Sequence, residues 1–272
     1  MDIYQEITKF YTQAKTEKRI IGKSVFGRNL YAIKLGKGAP VGIVQYAIHG
    51  REYITAKLAL SHLQNEKIKG SVWVLPLMNP DGALLSQVGL SSVKPKRKKG
   101  LLLLNGDRDF SLWKANGRGV DLNVNFDAKW GKGAKNTKIL GAENCIGKKP
   151  FSEPESLALK KFTLKIRPDY TVSYHTKGEE IYWYFDQSTR TCPRDLRLAT
   201  VLSGATGYPL AQAKGSVGGY KDWCIQRLQI PAFTIEAGAD SFSHPLDGDA
   251  LTDILLRNQS ALATLSQAVW EM

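Results

Sequence analysis

An imidazole and a carboxylate stand three residues apart in His49-Gly50-Arg51-Glu52, where an apolar run, Val41 to Ile48, gives way to the helical pattern of Tyr53 to Leu63. The run ending at Ile48 reads as a buried strand, which puts His49 at its carboxyl end and Glu52 in the first turn of the next helix. Both side chains then face one crevice, and a histidine and a glutamate so placed can share a metal ion. Catalytic zinc takes three protein ligands, often two His and one Glu, and keeps a fourth position for water.

A second histidine must therefore come from elsewhere, and the chain offers only His62, His175 and His244. His62 lies inside the helical pattern Ala56 to Gln64 and reads as a solvated or packing residue. His244 precedes Pro245 in a loop-like segment rich in Ser, Asp and Gly. His175 closes a strand-like run, Tyr170 to Tyr174, and is the natural third ligand. Taken alone it reads equally well as a polar strand end satisfied by backbone groups.

Glu236 supplies the missing function. It ends another short apolar run, Pro231 to Ile235, and is followed by Ala237-Gly238, so it too opens toward the carboxyl edge of a sheet. That edge is where open α/β sheets bind ligands. A glutamate beside a metal-activated water can take its proton and pass it to a leaving amine. Two histidines, one ligand glutamate and one base glutamate together make a hydrolase, whereas Glu236 alone would pass for a surface acid.

These residues need alternating strands and helices behind them. The pattern predicts a helix near Ile3 to Thr16, strands at Leu30 to Leu35, Gly42 to Ile48 and Val72 to Leu77, and helices at Glu153 to Ile166, Pro193 to Gly204, Gly219 to Arg227 and Leu251 to Trp270. Glu153-Pro154-Glu155 has the carboxylates and the proline expected at a helix start. Lys94-Pro95-Lys96-Arg97-Lys98-Lys99-Gly100 reads as an exposed loop. The alternation is that of an α/β architecture, with residues 1–272 as a single domain.

The motifs His49-x-x-Glu52, Asn79-Pro80-Asp81-Gly82, Gly119-Val120-Asp121-Leu122-Asn123, His175 and Thr234-Ile235-Glu236 resemble, in order and spacing, those of the zinc metallocarboxypeptidases over nearly the whole chain. The resemblance implies one zinc ion on His49, Glu52 and His175, with Glu236 as general base. It also implies a mixed, twisted eight-stranded sheet flanked by helices. Within that family the segments His175 to Trp183, Gly219 to Trp223 and Trp113 to Asn123 look like those of bacterial peptidases that cut between γ-D-glutamate and meso-diaminopimelate in peptidoglycan stem peptides. That likeness implies a stem peptide or muropeptide as partner, with Asn123, Lys221, Tyr182 and Trp183 at the substrate.

The departures from the family pattern carry information. Digestive members place an arginine after the Asn of Asp-Leu-Asn to grip a free terminal carboxylate, and here that position is Val124, which cannot replace a bidentate fork. The position of the family's oxyanion-stabilising arginine corresponds to Lys114, which keeps the charge and loses the planar fork. Lys221 falls where the family lines the pocket for the residue after the scissile bond. A cation there suits an anionic side chain, and diaminopimelate ends in a second carboxylate; the alternative is a lysine on a solvated helix face.

Composition narrows the rest. The net charge is +13 and 43% of residues are hydrophobic, enough for one core and basic enough to raise a nucleic-acid or other non-catalytic binding protein as a rival class. No zinc-finger spacing or aromatic RNA-binding signature accompanies that charge, and a basic surface equally attracts anionic wall fragments. Two other enzyme readings keep the metal: a conventional carboxypeptidase, against which Val124 argues, and an N-acyl amino acid amidohydrolase, against which Ile181-Tyr182-Trp183 argues. Three cysteines, Cys145, Cys192 and Cys224, lack Cys-x-x-Cys spacing and read as reduced structural thiols. No apolar run spans a membrane, and the start Met1-Asp2-Ile3-Tyr4-Gln5-Glu6 lacks a signal pattern. A complete chain would then be cytoplasmic and suited to recycling wall peptides; a removed leader would mean export.

Overall fold

The structure, a computed structural model, describes residues 1–212 and 215–272. Its centre is a mixed sheet of eight strands in the order β1 (Lys18–Lys23), β2 (Asn29–Gly36), β4 (Ser71–Leu75), β3 (Val41–Tyr46), β5 (Tyr170–His175), β8 (Ala232–Glu236), β6 (Glu180–Tyr182) and β7 (Leu210–Ala211). β4, β3, β5 and β8 run parallel, β2 and β1 continue antiparallel on one side, and β6 pairs antiparallel with β8 on the other. A parallel centre is covered on both faces, which is why its strands read as near-continuous apolar runs rather than alternating ones.

Successive residues of each strand serve opposite faces. Val44, Val74 and Val172 pack against α2 (Ile54–Asn65), α6 (Cys192–Thr206), α8 (Gly248–Asn258) and α9 (Ala261–Trp270), whose Leu58, Leu198, Leu202, Ile254 and Leu265 are fully buried or nearly so. Ile43, Trp73 and Leu75 turn the other way, toward Leu159 and Phe162 of α5 (Pro154–Ile166). Each such apolar side chain contributes roughly 1.5–3 kcal/mol on burial. α1 (Ile3–Gln13) is started by a reciprocal cap between Asp2 and Gln5 and buries Ile3 and Ile7.

Three elements depart from the expected pattern. The basic stretch 94–100 is not a loop: after α3 (Pro80–Val88), Pro95 opens a further helix, α4 (Pro95–Asn105). Proline is suited to a first helical turn, and Lys, Arg and Leu are good helix formers that carry the chain on to Asn105. The helix expected over Leu251 to Trp270 is broken between α8 and α9 at Gln259-Ser260. The one expected over Gly219 to Arg227 is a short α7 (Tyr220–Trp223) continued as a π turn, Cys224–Leu228.

The topology selects the position of the site. β3 passes through α2 to β4 on one side, and the chain later returns to place β5 on the other side of β3. A crevice opens at the carboxyl ends of strands where order reverses in this way. His49 follows β3, His175 ends β5 and Glu236 ends β8.

Candidate metal centre and substrate cleft

β3 stops at Tyr46, and the chain beyond it is held by tertiary hydrogen bonds. Met78 N donates to Tyr46 O at 2.9 Å and Asn79 N to Ala47 O at 3.0 Å. The Asn79 amide then donates to Ile48 O at 3.1 Å and to Ala115 O at 3.0 Å, joining the loop of His49 to the segment that carries Lys114. Gly50 N donates to Lys114 O at 2.9 Å. A Cβ at residue 50 would lie 2.6 Å or less from the backbone of Gly82 and Trp113, so only glycine lets the loop sit this close. Glu52 closes a single 3₁₀ turn, Gly50–Glu52, ahead of α2.

The result is a buried triad. His49 Nδ1 lies 2.8 Å from one Glu52 carboxylate oxygen, and His175 Nδ1 lies 3.0 Å from the other. The two Nδ1 atoms are 3.1 Å apart. Ligand atoms from all three residues fall within 4.8 Å of one another, the one such cluster of three or more His, Cys, Asp or Glu among the described residues. Two imidazole nitrogens facing one another across a carboxylate is a donor set for a single cation.

Asp121 completes the centre from behind. Its Oδ1 approaches His49 Nε2 at 3.3 Å, and its Oδ2 pairs with Lys114 Nζ at 3.2 Å. Burial raises the energy of the ionised Asp121 carboxyl, but Lys114 and His49 outweigh it and hold the group below the usual carboxylate range. Burial acts in the same way on Glu52, where His49 and His175 win and keep it anionic. For His49 burial favours the neutral ring, while Glu52 and Asp121 raise its pKa. Lys114 is held charged, against the cost of burial, by Asp121 and Glu52.

Glu236 sits beside His175 in the register of β8 against β5. Burial, reinforced by Glu52, lifts its carboxyl to about 7, against the pull of His175 and Lys114. Its carboxylate makes no hydrogen bond or ion pair among the described residues, and the residue lines two adjoining clefts. The larger, about 370 Å³, also exposes His49, Arg51, Lys114 and Val124. The smaller, about 230 Å³, is bounded by Tyr182, Lys221, Asp222 and Thr234, with Asn123 on the border of both. A carboxylate held near neutrality at such a junction can accept and return a proton.

Residues 3–248 match the family model for zinc carboxypeptidases. The chain belongs to the zinc carboxypeptidase family. It is 29% identical to gamma-D-glutamyl-L-diamino acid endopeptidase 1 of Lysinibacillus sphaericus over 83% of this chain, and the match takes in 61% of that protein's length. The fold is shared with bovine thrombin-activatable fibrinolysis inhibitor, at a TM-score of 0.76, 20% identity and coverage of 100% of this chain and 97% of the other. It is also shared with the murein-tripeptide amidase of Escherichia coli O157, at 0.60, 22%, 95% and 94%. That family is one of metallopeptidases, and the mixed eight-stranded sheet of this chain is the zinc carboxypeptidase fold.

The His49–Glu52–His175 triad fits the family's zinc, since two imidazoles and one carboxylate are the usual protein ligands of a catalytic site. A zinc ion held there supplies a Lewis acid that polarises a carbonyl and acidifies water.

The other sequence-derived residues divide. Asn123, Tyr182 and Lys221 meet at the smaller cleft. Trp183 is packed in the core with Ile181 and Leu198 and lines neither cleft. His62 is a packing residue, with Nδ1 at 2.6 Å from the Tyr46 hydroxyl and Nε2 at 3.0 Å from Asn258 O. The motif Gly119 to Asn123 by itself assigns Asp121 no role, although a histidine that ligates through Nδ1 needs an acceptor for its other nitrogen and an acid in a buried motif is the place to look. No helix among the described residues is long and apolar enough to cross a membrane.

Proposed function

We propose that the protein hydrolyses the amide between γ-D-glutamate and meso-diaminopimelate in peptidoglycan stem peptides, with residues 1–272 acting as one catalytic domain. The observation that carries this reading is Lys221. Its side chain is almost fully buried in the wall of the cleft that Glu236 also lines, and its ammonium donates to Asp222 Oδ1 at 2.7 Å and Tyr184 O at 3.2 Å. An ammonium has three N–H groups, so one is left for a ligand. A solvated helix face would not bury it. The endopeptidase of Lysinibacillus sphaericus, by its name, acts at a diamino acid, and the Escherichia coli neighbour is a murein-tripeptide amidase.

In this mechanism the scissile amide lies across the junction of the two clefts. Glu236 takes a proton from the attacking water and returns it to the leaving amine of diaminopimelate. Lys114, held charged by Asp121, faces the carbonyl oxygen as negative charge develops on it. Asn123 and Tyr182 orient the leaving residue, and Lys221 reads the carboxylate at its far end. With Val124 in place of a guanidinium, an ordinary peptide carboxyl terminus is gripped poorly.

The test is incubation of the metal-loaded protein with L-Ala-γ-D-Glu-meso-diaminopimelate, with an ordinary peptide of free carboxyl terminus and with an N-acyl amino acid, followed by mass analysis. Release of free diaminopimelate with little turnover of the other two is expected. Turnover of the ordinary peptide or the N-acyl amino acid in preference to the stem peptide would overturn the reading.

A further inference from the structure

The pocket around Lys221 holds two opposite charges. The side chains of Lys221 and Asp222 are 7% and 8% exposed and meet at 2.7 Å, and both line the cavity beside Glu236. The Phe185 ring lies 5.3 Å from the ammonium, and Gly219 N donates to Asp222 Oδ2 at 3.0 Å. Counting partners leaves one N–H on Lys221 and about two lone-pair sites on Asp222 free to serve a ligand.

We infer that Lys221 and Asp222 act as one recognition element for a zwitterionic amino-acid end, the Lys221 ammonium taking the ligand's carboxylate and the Asp222 carboxylate taking its ammonium. This rests on the stem-peptide reading, which engages Lys221 alone, and adds Asp222 as a specificity-determining residue. The argument is one of charge balance in a buried place. A buried cation and a buried anion in direct contact offset each other's cost of desolvation. The pair is neutral overall, so a ligand bearing a single carboxylate gains Lys221 and meets Asp222 in repulsion, and a ligand bearing a single ammonium meets the reverse. Only a ligand bringing both charges side by side completes an alternating square of four. Diaminopimelate ends in that arrangement; lysine ends in an ammonium alone.

Three tripeptides separate the possibilities: L-Ala-γ-D-Glu followed by meso-diaminopimelate, by L-lysine, or by L-2-aminopimelate, which keeps the far carboxylate and lacks the far amine. Wild-type kcat/KM is expected to be at least about tenfold lower for each singly charged side chain than for diaminopimelate, the loss of one buried charge-assisted contact. Asp222→Asn, which retains an oxygen for Gly219 N, is expected to lose the preference for diaminopimelate over aminopimelate while keeping the preference over lysine. Equal wild-type rates on diaminopimelate and aminopimelate would overturn the role of Asp222 and leave Lys221 as the reader. Calorimetric binding of the same peptides to metal-loaded Glu236→Gln protein reads the pocket apart from the chemistry. Selective binding of the diaminopimelate peptide without wild-type cleavage would remove the proposed reaction and support the pocket; indifferent binding would remove the pocket.

Discussion

Asp121 Oδ1 stands 3.3 Å from His49 Nε2, on the far side of the ring from the Nδ1 atom that meets Glu52. A carboxylate in that position favours a proton on Nε2 and leaves Nδ1 free for a metal ion. Asp121→Asn keeps the shape and removes the charge. Metal affinity should fall about 10- to 100-fold, as read by competition with a chromophoric chelator, whereas unchanged affinity would show that Asp121 does not set the orientation of His49.

Gly50 lies between His49 and Glu52 with no room for a Cβ. Gly50→Ala should push the loop off Gly82 and Trp113, lower stability by about 1–3 kcal/mol and weaken metal binding together with it. Thermal unfolding and chelator competition on the same sample check this, and a stable variant with full affinity would refute the close-packing account.

Glu66 offers a test of pH dependence away from the cleft. It lies just beyond the last residue of α2, is buried, and accepts from Leu262 N at 3.3 Å. Burial raises its carboxyl to about 8, while the Leu262 and Ala263 amides pull the other way. The folded protein therefore holds a proton that the unfolded chain releases near the ordinary carboxylate pKa. The associated stability is fully present below about pH 4.5 and is lost as pH rises through the folded value of about 8. His62, lowered to about 4 by burial, costs stability in the opposite direction as pH falls below 6.5. Glu66→Gln should flatten the decline between pH 6.5 and 8, by on the order of a few kcal/mol, in denaturant titrations. A decline as steep as wild type would exclude Glu66 as its source.

Much of this centre was legible because its residues end the apolar runs that become β3, β5 and β8, and a run's end marks the sheet edge where ligands bind. The elements behind it were legible for the same reason. Asp121 was not, because it lies in an irregular segment 72 positions from His49 and only tertiary folding brings them together. The helix α4 has no amphipathic period to announce it, since its first half is solvated cations and only Leu101 is buried. The last two strands on one side of the sheet, β6 and β7, span three and two residues, too short for any period to appear. Trp183, one residue past β6, is packed into the core instead of turning toward the substrate. A motif places it near the cleft, but the motif does not say which face of the chain it occupies.

The account stands most directly on Glu236, and turnover of L-Ala-γ-D-Glu-meso-diaminopimelate by a Glu236→Gln variant shown to carry its full metal complement tests it. The predicted result is one bound ion per chain with the rate reduced by about 10²–10⁴-fold. A metal-loaded variant that cleaves the peptide at a rate near wild type would contradict the assignment of proton transfer to Glu236.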